Sequence, residues 1–543
     1  MANKLPLQQF SLMVERQPSK SYLHQPINGE LISFSWADVD QQARSVAGEL
    51  LKMGINPGER VGILSKNCAE WFIADLAIMM AGLISVPIYH TANRETIGYI
   101  LENSDCKAIF VGKLDALTEA DAGISASIPR LLFPYPSIEG QVQWASMIAG
   151  EPIDTLSEPN ADDTMTIAYT SGSTGKPKGV VLSFENLGSA AAAAIKDMEI
   201  DIKDHLMSYL PLAHITERGL IESASFYAGC EIFFVESLET FMHDVKVAQP
   251  NVFISVPRLW TKFQSEILAK MPDKKLQILL KIPFVNKMVS KKIRIALGFN
   301  NARSFGSGTA PIAPSILRWF DRIGVPITEG WGMTETSGLS CANQPYDKQA
   351  LGTIGKPLSC VEMKLGDNKE ILIRGEAVFV EYYKNPAETA KNFTDGWFHT
   401  GDMGAITANG DFEIIGRIKE QFKTGKGKYV APVPIESLIA QNKNIEQICV
   451  MGEGRKQPIV LVVMNAQNAQ RNSTAHQSLL KTLEVVNAKL ESHQRLDHII
   501  VLKEGWTVEN DLLTPTLKIK RSEIEAAYNH YLEADLDSPV IWE

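Results

Sequence analysis

Apolar positions along this chain switch between two periods. Short runs rich in Val, Ile and Phe, at 60–64, 83–88, 108–111, 231–235 and 252–256, are separated by stretches with apolar residues at helical spacing. Strands alternating with helices predict an α/β class, with parallel sheets covered by helices. From about 352 to 416 the runs come closer together and are punctuated by glycine, as at 371–375 and 411–416, which predicts an antiparallel sheet or small barrel. Beyond Arg417 the chain turns polar and rich in Lys and Gly. Strands then return at 447–451 and 458–464, so a second, smaller domain is expected to begin there. The most apolar stretch, 72–89, is interrupted by Asp75, Gly82 and Pro87 and reads as a buried helix followed by a strand rather than a membrane span. The five alanines at 190–194 mark a tightly packed helix.

Composition narrows the partners. At 543 residues and 45% hydrophobic the chain has material for roughly three or four folding units. A formal charge of −10 argues against nucleic acid as a partner, although it leaves room for local basic patches. The six cysteines stand singly, with no CxxC pair, which fits buried or free thiols in a reducing compartment; neither a disulfide nor structural zinc is expected. The first residues lack the apolar core of a signal peptide, and a cytoplasmic location is expected.

The densest chemistry lies at 170–179: Thr170, Ser171, Gly172, Ser173, Thr174, Gly175, Lys176, Pro177, Lys178 and Gly179, directly after the apolar run 166–169. Glycines let backbone N–H groups approach phosphate oxygens, hydroxyls donate to them, and lysines offset their charge. The run reads as a strand opening into a mobile loop around a nucleotide triphosphate. It is not the P-loop of ATPases: Gly172 and Gly175 are too close together, and Pro177 biases Lys176 away from helix.

Further motifs agree in meaning. Residues 328–336 offer the Trp331 ring to stack on a base, the Thr334 hydroxyl for phosphate and the Glu335 carboxylate for magnesium. Asp402 follows a glycine turn and Arg417 ends a strand; an acceptor and a planar guanidinium suit two ribose hydroxyls. A basic segment, 513–521, lies near the end of the chain.

In this order, over nearly the whole chain, these motifs resemble the acyl-adenylate-forming (AMP-binding) superfamily of acyl-CoA synthetases, nonribosomal adenylation domains and luciferases. The wording at 209–218 and 513–518 looks most like the long-chain fatty acyl-CoA synthetases. The resemblance implies a large N-terminal domain, 1–416, of two layered α/β sheets with a distorted barrel at about 352–416. It also implies a hinge at 417–421 pivoting on Lys419, and a small mobile α+β domain over 422–543.

The same resemblance implies ATP, Mg2+ and the co-substrate CoA. Thr170, Ser171, Ser173, Thr174 and Lys178 would hold the β- and γ-phosphates, with Gly172 and Gly175 shaping the loop and Gly308 and Trp331 also lining the nucleotide. Glu335 would take the magnesium, Thr334 the α-phosphate, and Asp402 and Arg417 the ribose. Lys518 would reach the α-phosphate and the substrate carboxylate. Leu517 departs from the glycine many relatives carry there, and Lys520 competes for the role of Lys518. The loop 423–429, with glycines at 425 and 427, would pass a pantetheine arm in the second half-reaction; its three lysines read equally as a soluble loop.

Relatives that activate amino acids carry an aspartate near 209–218, whereas here His214 sits among apolar companions, which points to a simple carboxylic acid. His214 reads either as a pocket wall or as a pyrophosphate-side contact. The wall of an acyl pocket is expected from 213–229, 256–258 and 304–308. A medium- to long-chain fatty acid passed to CoA is the leading reading. The alternatives are an acyl-AMP ligase serving a carrier protein and a synthetase for another acid. The segment 261–294 holds nine cations against Glu266 and Asp273. It reads first as a solvated helical face, and second as an amphipathic surface for an anionic membrane at the inner face.

Overall fold

The computed structural model describes residues 4–170, 176–465, 472–508, 510–514, 518–534 and 536–543. The chain divides into two compact units. The first comprises Met1–Thr309, Trp319–Met363 and Ile373–Phe398; the second comprises Ala310–Arg318, Lys364–Leu372 and His399–Glu543.

Three sheets build the first unit. The largest runs in the order Glu381–Tyr382, Lys178–Ser183, Thr164–Thr170, Ile84–Ile88, Arg60–Leu64, Cys106–Val111, Arg130–Leu132, Val142–Gln143. It is parallel from Thr164–Thr170 outward, while the strands at its other edge pair antiparallel. A second sheet orders His205–Ser208, Glu231–Phe234, Ser21–Ile27 and Glu30–Ser35. Its last two strands form a hairpin turned by Asn28 and Gly29, both at positive φ (50° and 80°), the backbone that a two-residue turn of this hand demands. A third sheet sets Val252–Ser255, Ser304–Ser307 and Ile327–Trp331 parallel, then adds Cys341–Ala342 and Lys356–Pro357 antiparallel.

The helix Ala69–Met80 is buried at all its positions and packs on Trp36–Lys52 and on strands of the first two sheets. It is the buried helix expected before the strand Ile84–Ile88. Its one carboxylate without solvent, Asp75, requires a partner in the core. The alanine run lies in the helix Phe184–Asp197, capped by Ser183, whose hydroxyl accepts from the Asn186 N–H at 3.1 Å. The six cysteines are buried.

The glycine-punctuated strands expected at 352–416 form a half-barrel sheet ordered Val361–Leu365, Glu370–Gly375, Trp397–Ile406, Phe393–Thr394, with Phe412–Arg417 joined antiparallel to Trp397–Ile406. In the second unit, Ile445–Met451, Ile459–Met464, His498–Leu502 and Val540–Trp542 make a four-stranded sheet. Its alternate inward residues pack with Ile435, Leu479 and Leu483 of the helices Pro432–Ile439 and Ser473–Asn487.

Candidate active site

The expected loop at 170–179 is shorter than its composition suggests. Thr164–Thr170 and Lys178–Ser183 zip into an antiparallel hairpin with Thr170 directly opposite Lys178, because the β-branched run after Gly179 extends the pairing. Ser171, Gly172, Ser173, Thr174 and Gly175 lie outside the described residues. The Lys176 ammonium sits 5.3 Å from the centroid of the Tyr99 ring.

Lys178 belongs to a polar cluster the sequence did not reveal. The edge strand Glu381–Tyr382 pairs with Val181 and Val180, which carries the Tyr382 ring under the Lys178 ammonium at 5.4 Å. Lys178 also pairs with Glu388 of the helix Pro386–Lys391, which the Asn385 side chain caps. The phenol of Tyr382 donates to Glu335 Oε1 at 2.9 Å, and the Phe379 N–H donates to the Glu335 carbonyl at 2.8 Å. Two expected site residues, Lys178 and Glu335, are therefore joined through one tyrosine. The pattern Asn385-Pro386-x-Glu388, a helix start, was the only local signal for this corner.

Glu335 is buried in the short turn Thr334–Thr336, with Thr334 half-buried beside it. The turn closes tightly: a Cβ on Gly332 would fall 1.4 Å from the Gly338 carbonyl oxygen, so no other residue fits there without moving the backbone. With Oε1 accepting from Tyr382, the carboxylate presents its second oxygen. One carboxylate together with phosphate oxygens is the donor set Mg2+ takes at nucleotide sites, so Glu335 fits that ion.

Trp331 ends the strand Ile327–Trp331, and Gly308 follows Ser304–Ser307. Gly308 donates to the Ser255 carbonyl at 3.2 Å, and a Cβ on it would lie 3.4 Å from the Gly330 carbonyl. Residues 256–258, Gly308 and Trp331 thus sit together at the carboxyl ends of three adjacent parallel strands, where ligands bind in open α/β sheets. Glu329 in the same strand accepts from the Gly352 N–H at 2.7 Å; burial pushes its carboxyl up to about 8.

His214 is half-buried and caps the short helix Ile215–Glu217, its Nδ1 accepting from the Thr216 N–H at 3.2 Å. This segment lies against the Glu335 turn, since a Cβ on Gly219 would come within 3.0 Å of the Ser337 carbonyl oxygen. Beyond it the backbone widens into a π-helix, Arg218–Ser223. The Arg218 guanidinium is 1% exposed and donates to Asp75 Oδ2 at 2.5 Å and to Ser85 Oγ at 2.8 Å. Glu222 lies 3.5 Å from Arg218 Nε; burial, then the negative charge of Asp75, raise its carboxyl well above the ordinary range against the pull of Arg218. Glu217 accepts from the Tyr209 N–H at 2.8 Å and from Asn67 Nδ2 at 3.2 Å, and burial pushes it to about 8.

In the second unit, antiparallel register sets Asp402 opposite Arg417, and Arg417 Nε meets Asp402 Oδ1 at 3.0 Å. The glycine turn expected before Asp402 is instead a kink inside the strand Trp397–Ile406, where Gly401 has φ 70° and its missing Cβ lets the strand continue. Glu370 braces it, its Oε1 accepting from the Gly401 N–H at 3.0 Å and its Oε2 meeting His399 Nδ1 at 2.8 Å. Lys419 is exposed on the short turn Ile418–Glu420. The loop 423–429 is a small hairpin, with Phe422–Lys423 paired to Tyr429–Val430.

Lys518 is exposed, and its backbone is closed on Thr514: the Thr514 N–H donates to the Lys518 carbonyl at 2.7 Å, and the Lys518 N–H to Thr514 Oγ1 at 3.1 Å. Arg521 anchors the segment in the core, donating to both oxygens of Glu436 at 2.8 and 3.0 Å and to the Val450 carbonyl at 2.8 Å. Lys520, the competitor, pairs with Asp511.

The AMP-binding enzyme family matches residues 10–383, and the AMP-binding enzyme C-terminal domain matches residues 420–536; the chain belongs to the AMP-binding enzyme family. It is 30% identical over 565 residues to the long-chain-fatty-acid–CoA ligase FadD15 of Mycobacterium bovis, with 93% of each chain covered. It is 31% identical to the long-chain-fatty-acid–CoA ligase 5 of Rattus norvegicus, with 93% of this chain and 84% of that one covered. Among solved structures it is similar to the anthranilate CoA ligase AuaEII in complex with anthranoyl-AMP (TM-score 0.82, 20% identity, 98% and 99% covered). It is likewise similar to ATP-bound MatB from Rhodopseudomonas palustris (TM-score 0.77, 22% identity, 97% and 99% covered). At these identities the structural likeness speaks for the fold.

Proposed function

We propose that the chain is an AMP-forming acid–thiol ligase that activates a medium- to long-chain fatty acid as its acyl-adenylate, releases pyrophosphate, and passes the acyl group to CoA. The observation that carries this reading is the joining of Lys178 and Glu335 through Tyr382, at the mouth of the hairpin whose strands hold Thr170 and Lys178 face to face. The names of the relatives at 30 and 31% identity support a fatty acid and CoA over a carrier protein.

The chemistry asks for charge neutralisation. A carboxylate attacks the α-phosphorus of ATP, so two anions meet while a third leaves as pyrophosphate. In this proposal Lys178 and Thr170, with the loop between them, hold the β- and γ-phosphates, and Thr334 donates toward the α-phosphate. Trp331 stacks on the base, while Asp402 and Arg417 take the ribose. Glu335 would hold Mg2+, which when bound draws charge from the phosphate oxygens. Lys518 supplies an ammonium at the reacting oxygens, and Lys419 is the pivot between half-reactions. His214 closes the acyl side beside the Glu335 turn. Among the described residues no helix is long and apolar enough to cross a membrane.

The test is a series of straight-chain acids of rising length offered with ATP, magnesium and CoA, with AMP release as the readout. A maximum among fatty acids, dependent on CoA, supports the proposal. Adenylate that CoA leaves intact and an acyl carrier protein discharges would transfer the reading to the carrier-protein ligase. The absence of pyrophosphate exchange with every acid would end both.

A further inference from the structure

The basic segment noted in the sequence folds into the helices Pro257–Lys270, Asp273–Leu280 and Val285–Ala296. The last two pack on each other and turn Leu276 and Val289 inward. Their outward side is unusual for a surface in water: Ile278, Ile282, Phe284, Met288 and Ile295 are 62, 42, 85, 53 and 47% exposed. Single exposed apolar residues are ordinary, but five on one hairpin mark an interaction surface.

Cations share that side. Lys274 and Lys275 precede Ile278 by four and three residues, and Lys291 and Lys292 lie three and four beyond Met288 and four and three before Ile295, so each helix presents apolar and basic groups on one face. Between 273 and 296 the chain carries six lysines and Arg294 against one carboxylate, Asp273, although the whole protein is acidic. Asp273 accepts from Trp319 Nε1 at 3.1 Å and from Gln277, which directs its charge toward the protein body. Arg294 is engaged by the carbonyls of Phe299 and Ala302. Among the described residues the six lysines enter no ion pair. At the apex Phe284 has φ 65°, on the side of the backbone map that bulky residues avoid, and this strained position holds the most exposed ring of the hairpin.

We propose that this hairpin docks the protein on an anionic bilayer. The lysines settle among the headgroups, and Phe284, with Ile282, Ile278 and Met288 alongside, enters the boundary between headgroups and acyl chains. The charge selects an anionic surface over a neutral one, and the apolar apex selects a bilayer over a soluble polyanion. The inference does not depend on the ligase reading, because its test reads binding rather than catalysis.

The test is sedimentation of the purified full-length protein with vesicles of phosphatidylcholine, with and without phosphatidylglycerol, at low and high salt. Pelleting with anionic vesicles at low salt, weakened by high salt, is expected. Phe284→Asp should lower the partition coefficient about tenfold or more, the effect of keeping one large apolar side chain out of the membrane. A paired Lys291→Glu, Lys292→Glu variant should remove the preference for anionic lipid. Both variants alter exposed positions and should keep the parent's thermal midpoint. No pelleting at low salt would overturn the proposal, as would equal pelleting with neutral vesicles that Phe284→Asp leaves unchanged. A concentration-dependent dimer that Phe284→Asp dissolves, without vesicle binding, would give the surface to a second copy instead.

Discussion

Tyr382 hydrogen-bonds Glu335 Oε1 over 2.9 Å while its ring lies 5.4 Å beneath the Lys178 ammonium. Burial, and then the charge of Glu335, hold the phenol well above its ordinary pKa, so it remains a donor at any working pH. The bond fixes which way the carboxylate faces. A hydrogen bond to an ionised group contributes about 1.5–3 kcal/mol, so Tyr382→Phe should slow adenylation roughly tenfold or more. Acyl transfer from supplied acyl-adenylate should change little. Fatty-acid-dependent pyrophosphate exchange measures the first and thioester formation the second. Unchanged exchange would mean that this carboxylate needs no orienting.

Two polar groupings differed in how far the sequence disclosed them. Asp402 and Arg417 were legible as a pair, Arg417 as the end of a recognisable strand and Asp402 beside a glycine that proves to kink a strand rather than turn the chain, and antiparallel pairing puts them in register. Tyr382 and Glu388 were not, because their contacts span 47 and 210 residues and exist only once a two-residue edge strand joins Lys178–Ser183. Asp75 read as a break in an apolar helix; that it meets Arg218 across 143 residues is a property of the packed core. The hairpin at Asn28–Gly29 carried a local signal, the favoured dipeptide of a two-residue turn, and was open to a closer reading.

Lys518 and Lys520 can be separated experimentally. Lys520 is paired with Asp511, whereas the Lys518 backbone is fixed by Thr514 and by Arg521, three residues further on. A well-placed electrostatic donor contributes about 3–4 kcal/mol to a transition state. Lys518→Ala should therefore reduce pyrophosphate exchange by roughly two to three orders of magnitude while sparing thioester formation from supplied acyl-adenylate. Lys520→Ala should stay within a few-fold of the parent. Equal loss in both half-reactions of Lys518→Ala would make it a structural residue.

The Asp75–Arg218–Glu222 group makes a prediction about stability. All three side chains are at most 1% exposed. Replacing the guanidinium by Arg218→Met strands two carboxyl groups in the core, and breaking a buried pair in this way costs about 3–5 kcal/mol. Adding Asp75→Asn and Glu222→Gln to Arg218→Met should recover much of that loss, because the three changes are coupled rather than additive. Urea unfolding of the three proteins decides it; a triple variant no more stable than Arg218→Met would show that the groups act independently.

Glu217 ties the same region to pH. Its carboxyl is 2% exposed and pushed up to about 8 in the fold, chiefly by burial, against about 4.3 in an unfolded chain. A raised carboxyl pKa means that the folded state holds a proton the unfolded state releases. Its contribution to stability is therefore intact below the unfolded pKa and declines as pH rises from there toward 8, by at most about 1.4 kcal/mol per pH unit. Glu217→Gln keeps the shape and the acceptor for the Tyr209 N–H and Asn67 but has no proton to lose. The stability of this variant relative to the parent should therefore improve steadily between pH 5 and pH 8, as read from denaturation midpoints across that window. A constant difference between the two proteins across the window would mean that Glu217 ionises in the fold as readily as it does in water.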